Sequence, residues 1–180
     1  LNTLLNEELI INQLIMNQNK VKAEKEKFVV EREFDAPVEK VYAAWTDPDK
    51  FAKWFGPKGA TVAHLSMNLE PQGTTLYCLK MGNGFEYWGK FIYTEIIPNE
   101  KLVFLNSITD SEGTPAKMPN NKDWPLELIT TLIFEVIGDR TRLTLTAEPY
   151  EATIDEKAGF EKGKDSMNKG WAGSFQQLDE

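Results

Sequence analysis

One cysteine and one histidine stand in 180 residues, and each scarcity closes off a class of function. A lone Cys78 leaves no internal disulfide and suits a reducing compartment, so the cytoplasm is the expected location. A lone His64 cannot assemble a metal site without companions, and Cys78 is not close to it in sequence. With a strand expected around His64, a surface or packing role is the reading adopted. Cys78 as a nucleophile would need a nearby base, and His64 is the only imidazole available. Positive charge is short too: 20 Lys and Arg face 28 Asp and Glu, for a net charge of −8. Nucleic acid and anionic membrane surfaces are therefore not expected as partners. No apolar run is long enough to span a bilayer. Leu1 to Met16 is apolar-rich but carries Glu7 and Glu8 and no basic start, so it does not read as a secretory signal; the initiator methionine is expected to be missing. No serine nucleophile elbow, phosphate-cradling glycine loop or dinucleotide fingerprint occurs. No cofactor, no metal and no catalytic residue is expected.

What is present points to packing. The hydrophobic share is 41%, and at this length one domain buries about two-thirds of its unfolded surface. Asp35 or Ala36 is expected to cap a first short helix, with Pro37 in its first turn; Asp47 and Pro48 repeat the device. Val38, Val41, Tyr42 and Trp45 then fall on one helical face. Phe51, Trp54 and Phe55 do the same for a shorter helix, which Gly56-Pro57 stops. Ahead of these, residues 2–18 read as a helix, the core of an N-terminal extension over residues 1–19, and Lys20 to Glu24 as a short strand. A homodimer through residues 2–18 is the partner expectation for that segment.

Phe28 to Phe34 reads as a strand. After Gly59 the pattern turns to β: Thr61 to Leu69, Thr74 to Met81, Phe85 to Ile97, Lys101 to Ile108, Leu126 to Ile137 and Arg142 to Glu148. Gly82-Asn83-Gly84 and Gly138-Asp139 mark hairpins. In the last strand Leu143, Leu145 and Ala147 alternate with Arg142, Thr144, Thr146 and Glu148, as when one face meets water. Asp110 to Pro125 is a long connection carrying Met118 and Trp124, which either fold down as a flap or anchor the loop. A helix from about Asp155 to the end carries Phe160, Met167, Trp171 and Leu178 inward, with Phe175 beside them. It also holds Gly159, Gly163, Gly170 and Gly173. Each costs roughly 0.5–1 kcal/mol relative to alanine. Either the helix approaches its neighbours closely there, or small side chains leave a hollow beneath it. The order of elements implies an α+β domain over residues 20–180, an antiparallel sheet wrapped around a terminal helix.

Phe34-Asp35-Ala36-Pro37, Trp45-Thr46-Asp47-Pro48, Trp54-Phe55-Gly56-Pro57, Glu95-Ile96-Ile97-Pro98 with Glu100-Lys101-Leu102, and Gly170-Trp171 resemble the homologues of the activator of the heat-shock chaperone ATPase. That family is a branch of the START-like helix-grip superfamily, whose wider membership includes the birch-pollen allergen, polyketide cyclases and lipid-transfer domains. The resemblance covers roughly residues 28 to 180. It implies a helix-grip fold: a curved antiparallel sheet holding the C-terminal helix, often with a cavity between them. It also implies a heat-shock chaperone as a partner, though only the C-terminal domain of the eukaryotic activator corresponds. The chain departs from the family pattern in three places. Asn68, Glu70 and Pro71-Gln72-Gly73 replace an Asp, an Arg and a Pro-Gly-Gly turn; Thr75 replaces a common tryptophan; and Phe91 stands where a glycine is common.

The residues give three functional expectations, in order. The first is a non-enzymatic binding module whose cavity holds a small hydrophobic or aromatic molecule, lined by Trp45, Trp54, Phe55, Tyr87, Phe91, Met167, Trp171 and Arg32. Such a reading needs a void of about 300 Å³ or more. The second, which the resemblance alone implies, is a co-chaperone-like interaction domain. The third is a cyclase- or hydrolase-like enzyme on an apolar substrate, with Glu86, Glu127, Glu135 and Arg32 as candidates by location. Phe85, Tyr87, Phe91 and Tyr93 share one face of their strand, while Trp88, Ile92 and Ile96 occupy the other. Arg32 shares parity with Phe28, Val30 and Phe34. It either snorkels outward or pairs with a glutamate, or it anchors a pocket.

Overall fold

A computed structural model describes residues 27–179, together with Gln13 and Met16, both exposed and helical. The rest of the helix expected over 2–18, the strand over 20–24, the extension over 1–19 and the dimer contact lie outside the described residues.

Seven strands form one sheet: β1 (Phe28–Phe34), β2 (Thr61–Met67), β3 (Thr74–Lys80), β4 (Glu86–Ile97), β5 (Lys101–Thr109), β6 (Glu127–Ile137) and β7 (Arg140–Pro149). The order is β1-β7-β6-β5-β4-β3-β2, antiparallel throughout. Strands β2 to β7 are a meander, and β1 closes on β7 at the far edge. The chain must therefore cross the sheet between β1 and β2. Two short helices make that crossing, α1 (Val38–Thr46) and α2 (Pro48–Trp54). The long α3 (Ile154–Leu178) completes an α+β helix-grip fold.

Alternation decides which side of each strand is buried. In β7, Thr141, Leu143, Leu145 and Ala147 are buried while the residues between them are half-exposed. In β4, Phe91 and Tyr93 face the core as expected. Ile96, expected on the face of Trp88 and Ile92, instead packs against the core. A bulge between Tyr93 and Glu95 inserts one residue and reverses the parity beyond it.

The helix starts follow local chemistry. Asp47 accepts from the Asp49 and Lys50 amides, with Pro48 in the first turn of α2. The first start differs from expectation: Pro37 is itself the N-cap of α1, and no side chain caps it. Asp35 lies two residues too early to reach the free amides. Thr153 and Glu156 form a reciprocal capping box at α3.

The turn between β2 and β3 shows what the departures from the family pattern do. Gly73 has no room for a Cβ, which would overlap the Asn68 carbonyl. Gln72, however, holds φ +66°, a conformation that favours glycine. Gln72→Gly is therefore expected to raise unfolding free energy by up to about 1 kcal/mol, after the extra freedom of glycine in the unfolded chain is subtracted. Urea unfolding would check this, and a clear loss would contradict it. Thr75, fully buried, hydrogen-bonds the Tyr93 hydroxyl at 2.7 Å.

Candidate functional site

After α2 the chain turns sharply at Gly56, whose φ of +117° an L side chain rarely adopts. The turn aims the Gly56 carbonyl at α3. Ser174 Oγ donates to it at 2.9 Å and Gln177 Nε2 at 2.8 Å, and Gln177 also donates to the Trp54 carbonyl at 3.0 Å. These bonds fasten the last third of α3 to the end of α2. Aromatic rings fill the joint: Trp45 lies 4.8 Å from Trp54 and 5.8 Å from Trp171, and Phe51 stacks on Phe55 at 4.2 Å.

Beside this clamp, between α3, β3 and β4, lies a cavity of about 390 Å³. Phe55, Gly56 and Pro57 form one wall, Tyr77, Leu79 and Tyr87 the sheet floor, and Met167, Gly170, Trp171 and Ser174 the helix side. Met118, from the long connection before β6, also borders it. An apolar furrow of about 290 Å³ adjoins it, sharing Pro57, Leu79 and Tyr87 and adding Met81 and Phe85.

The glycines of α3 divide into two pairs. A Cβ at Gly159 would overlap the Asp123 backbone, and one at Gly163 the Trp124 ring. Those two admit the loop against the helix. At Gly170 and Gly173 a Cβ would meet nothing within 4 Å. Gly170 is exposed and borders the mouth of the cavity. The first pair thus meets close approach and the second pair open space.

The loop is strapped down. Trp124 packs on Phe160 with ring centres 5.8 Å apart, and Lys117 bridges the Trp124 carbonyl and the Glu156 carboxylate. The Lys117 ammonium, and then the Thr153 amide, hold the Glu156 carboxyl down to about 2. This folded value lies below that of an unfolded glutamate, about 4.3. The strap therefore contributes fully above about pH 5 and is lost as pH falls from there through about 2. Glu156→Gln is expected to flatten the acid limb of stability over that window; urea unfolding from pH 5 downward measures it, and an unchanged slope would contradict it.

No charged side chain is among the described residues lining the cavity. Its polar side-chain groups are the hydroxyls of Tyr77, Tyr87 and Ser174 and the Trp171 indole N–H. Burial raises the Tyr87 phenol to about 12, and raises Tyr77 well above its ordinary value, aided by Tyr87 nearby. Both stay protonated donors at any physiological pH. Cys78 is buried and its thiol is pushed up by desolvation, which removes thiolate character. His64 is exposed and packs against Trp88 at 5.3 Å, and the described residues contain no group of three or more metal-ligating side chains.

Of the expected lining residues, Phe55, Tyr87, Met167 and Trp171 border the cavity. Trp45 and Phe91, at 2% and 3% exposure, stand behind that wall as core; the Phe91 ring fills space between Phe51, Phe55 and Phe104. The buried Trp45 indole N–H has no acceptor among the described residues. Trp54 faces a different depression, and Arg32 is exposed and paired with Asp179 near the end of α3, so neither borders the cavity. Glu86, Glu127 and Glu135 do not border it either. Sequence reading missed Gly56, Pro57, Tyr77, Leu79, Met118, Gly170 and Ser174 as lining. Gly170 carried a signal, as an interior helical glycine next to Trp171.

The depression at Trp54 is larger, about 640 Å³, and is rimmed by the charged side chains Lys40, Lys50, Lys53, Asp35 and Asp179. The two sites differ in lining rather than in enclosure: the smaller one is walled by apolar and aromatic side chains.

A family model described as activator of Hsp90 ATPase homolog 1-like protein matches residues 35–180. The chain belongs to this family. Among solved structures, a protein from Arthrobacter aurescens is 24% identical, covers 87% of this chain and 85% of its own, and superposes with a TM-score of 0.73. Protein Ms6760 from Mycobacterium smegmatis is 20% identical over 87% of this chain and 90% of its own, with a TM-score of 0.71. The AHSA1 protein from Silicibacter pomeroyi is 21% identical over 85% and 94%, with a TM-score of 0.67. At these identities the likeness concerns the fold of this family member. No curated protein matches the chain.

Proposed function

We propose that this chain is a binding module that holds a small hydrophobic or aromatic molecule between α3 and the sheet. The observation that carries the reading is the cavity of about 390 Å³, apolar in its walls and bordered by a helical glycine with open space beside it. Its size lies within the range of small-molecule sites, roughly 300–1,000 Å³. The α3 clamp supports it, because a wall fixed by three hydrogen bonds keeps the site formed without ligand. A buried, unreactive Cys78 fits a protein of the reducing cytoplasm.

The test is titration with N-phenyl-1-naphthylamine, a neutral dye that brightens in apolar surroundings. Saturable binding near one per chain is expected, weakened at least about tenfold by Gly170→Leu, whose side chain enters the cavity mouth. Absence of saturable binding would refute the proposal. A co-chaperone role is the second reading, supported by the family's description. An enzyme ranks third, since none of the residues weighed for acid–base work borders the cavity.

A further inference from the structure

We infer that Tyr77 and Tyr87 determine what the cavity accepts, and that they select a neutral, flat, apolar molecule bearing a hydrogen-bond acceptor such as a carbonyl oxygen. The inference rests on the binding reading above and adds the chemistry of the ligand.

Several other core hydroxyls are engaged within the protein, although the buried Thr109 hydroxyl is not. Tyr93 pairs with Thr75, Ser174 donates to Gly56 and Gly170, and Thr141 donates to the Ala36 carbonyl. Tyr77 and Tyr87 differ. Among the described residues neither hydroxyl has a hydrogen-bond partner, and neither is sealed from solvent: both open onto the cavity. A donor left free at a site is available to an acceptor on a ligand. Both side chains border the same cavity, so the partner they lack is one the cavity would supply.

Their geometry is fixed in advance. The Tyr77 ring lies over Gly89, where any Cβ would overlap its hydroxyl end. Phe55 and Phe91 hold it from the sides, at 5.0 Å and 5.3 Å between ring centres. A donor that cannot swing away is a specificity element, because the ligand must bring its acceptor to it. Charge is excluded by the same surroundings. A carboxylate in this cavity would lose its water with no cation among the described lining residues to replace it. The aromatic walls, Phe55 and Trp171 among them, favour a flat ring system.

Three probes of one shape separate the possibilities: 2-methylnaphthalene, 2-acetylnaphthalene and 2-naphthoate, each measured by calorimetry or dye displacement. The acetyl compound is expected to bind about three- to tenfold more tightly than the methyl compound, as one added neutral hydrogen bond provides. The naphthoate is expected to be weakest. In Tyr77→Phe and Tyr87→Phe, each isosteric with the native ring, the acetyl-to-methyl affinity ratio should fall toward one in at least one variant and fully in the double variant. A methyl compound as tight as the acetyl one, a preferred naphthoate, or a ratio unmoved in the double variant overturns the inference and leaves the cavity reading standing. Failure of all three probes to bind overturns both.

Discussion

Gly159→Ala is expected to lower unfolding free energy by about 1–3 kcal/mol and Tm by about 2–12 °C, although alanine is the better helix former. The new methyl would overlap the Asp123 carbonyl, which belongs to backbone and cannot rotate aside. Either α3 moves off the loop or the loop lifts, and the packing of Trp124 on Phe160 is lost in both cases. Gly170→Ala should have the opposite sign. With nothing within 4 Å of its Cβ, it gains roughly 0.5–1 kcal/mol from helix propensity alone. Thermal unfolding of the two variants side by side reads the difference. Equal shifts would mean that the two halves of α3 are not built for different purposes.

Gly89→Ala is expected to cost about 1–3 kcal/mol and to abolish ligand binding as well. Its Cβ would overlap the Tyr77 hydroxyl and the ring carbon that bears it. Phe55 and Phe91 flank that ring, so the space open to it is the cavity. A variant that retained both stability and dye binding would show that the floor is not rigid. Loss of both, with the sheet retained by circular dichroism, is the expected result.

The strands and their order were legible because their alternation and turns are local. Leu143, Leu145 and Ala147 announce a half-buried strand, and Gly82-Asn83-Gly84 a hairpin, without reference to anything distant. The α2 start was legible for the same reason, since Asp47 and Pro48 act on their own first turn. Ile96 was misplaced because a bulge breaks a period-two argument, and no residue between Tyr93 and Glu95 signals it. The site was half legible. Phe55, Tyr87, Met167 and Trp171 were named as aromatic or flexible residues on the helix or opposite it, and they border the cavity. Trp45, Trp54, Phe91 and Arg32 carried the same signal yet stand behind the wall or elsewhere. Whether a ring borders a void or fills it depends on fractions of a side-chain diameter, set by residues far apart in sequence. Gly89 making room for Tyr77 is such a pair.

The central claim is that a small molecule occupies the space between α3 and the sheet. The most direct measurement is a ¹H–¹³C methyl spectrum of methionine-labelled protein during titration with 2-acetylnaphthalene. Met118 and Met167 border the cavity from the loop and from the helix, whereas Met16 is fully outside it. The account predicts that the Met118 and Met167 methyl signals shift together and saturate while Met16 stays still. Unmoved Met118 and Met167 signals, with ligand effects confined to the Trp54 indole in the lysine-rimmed trough, would contradict it.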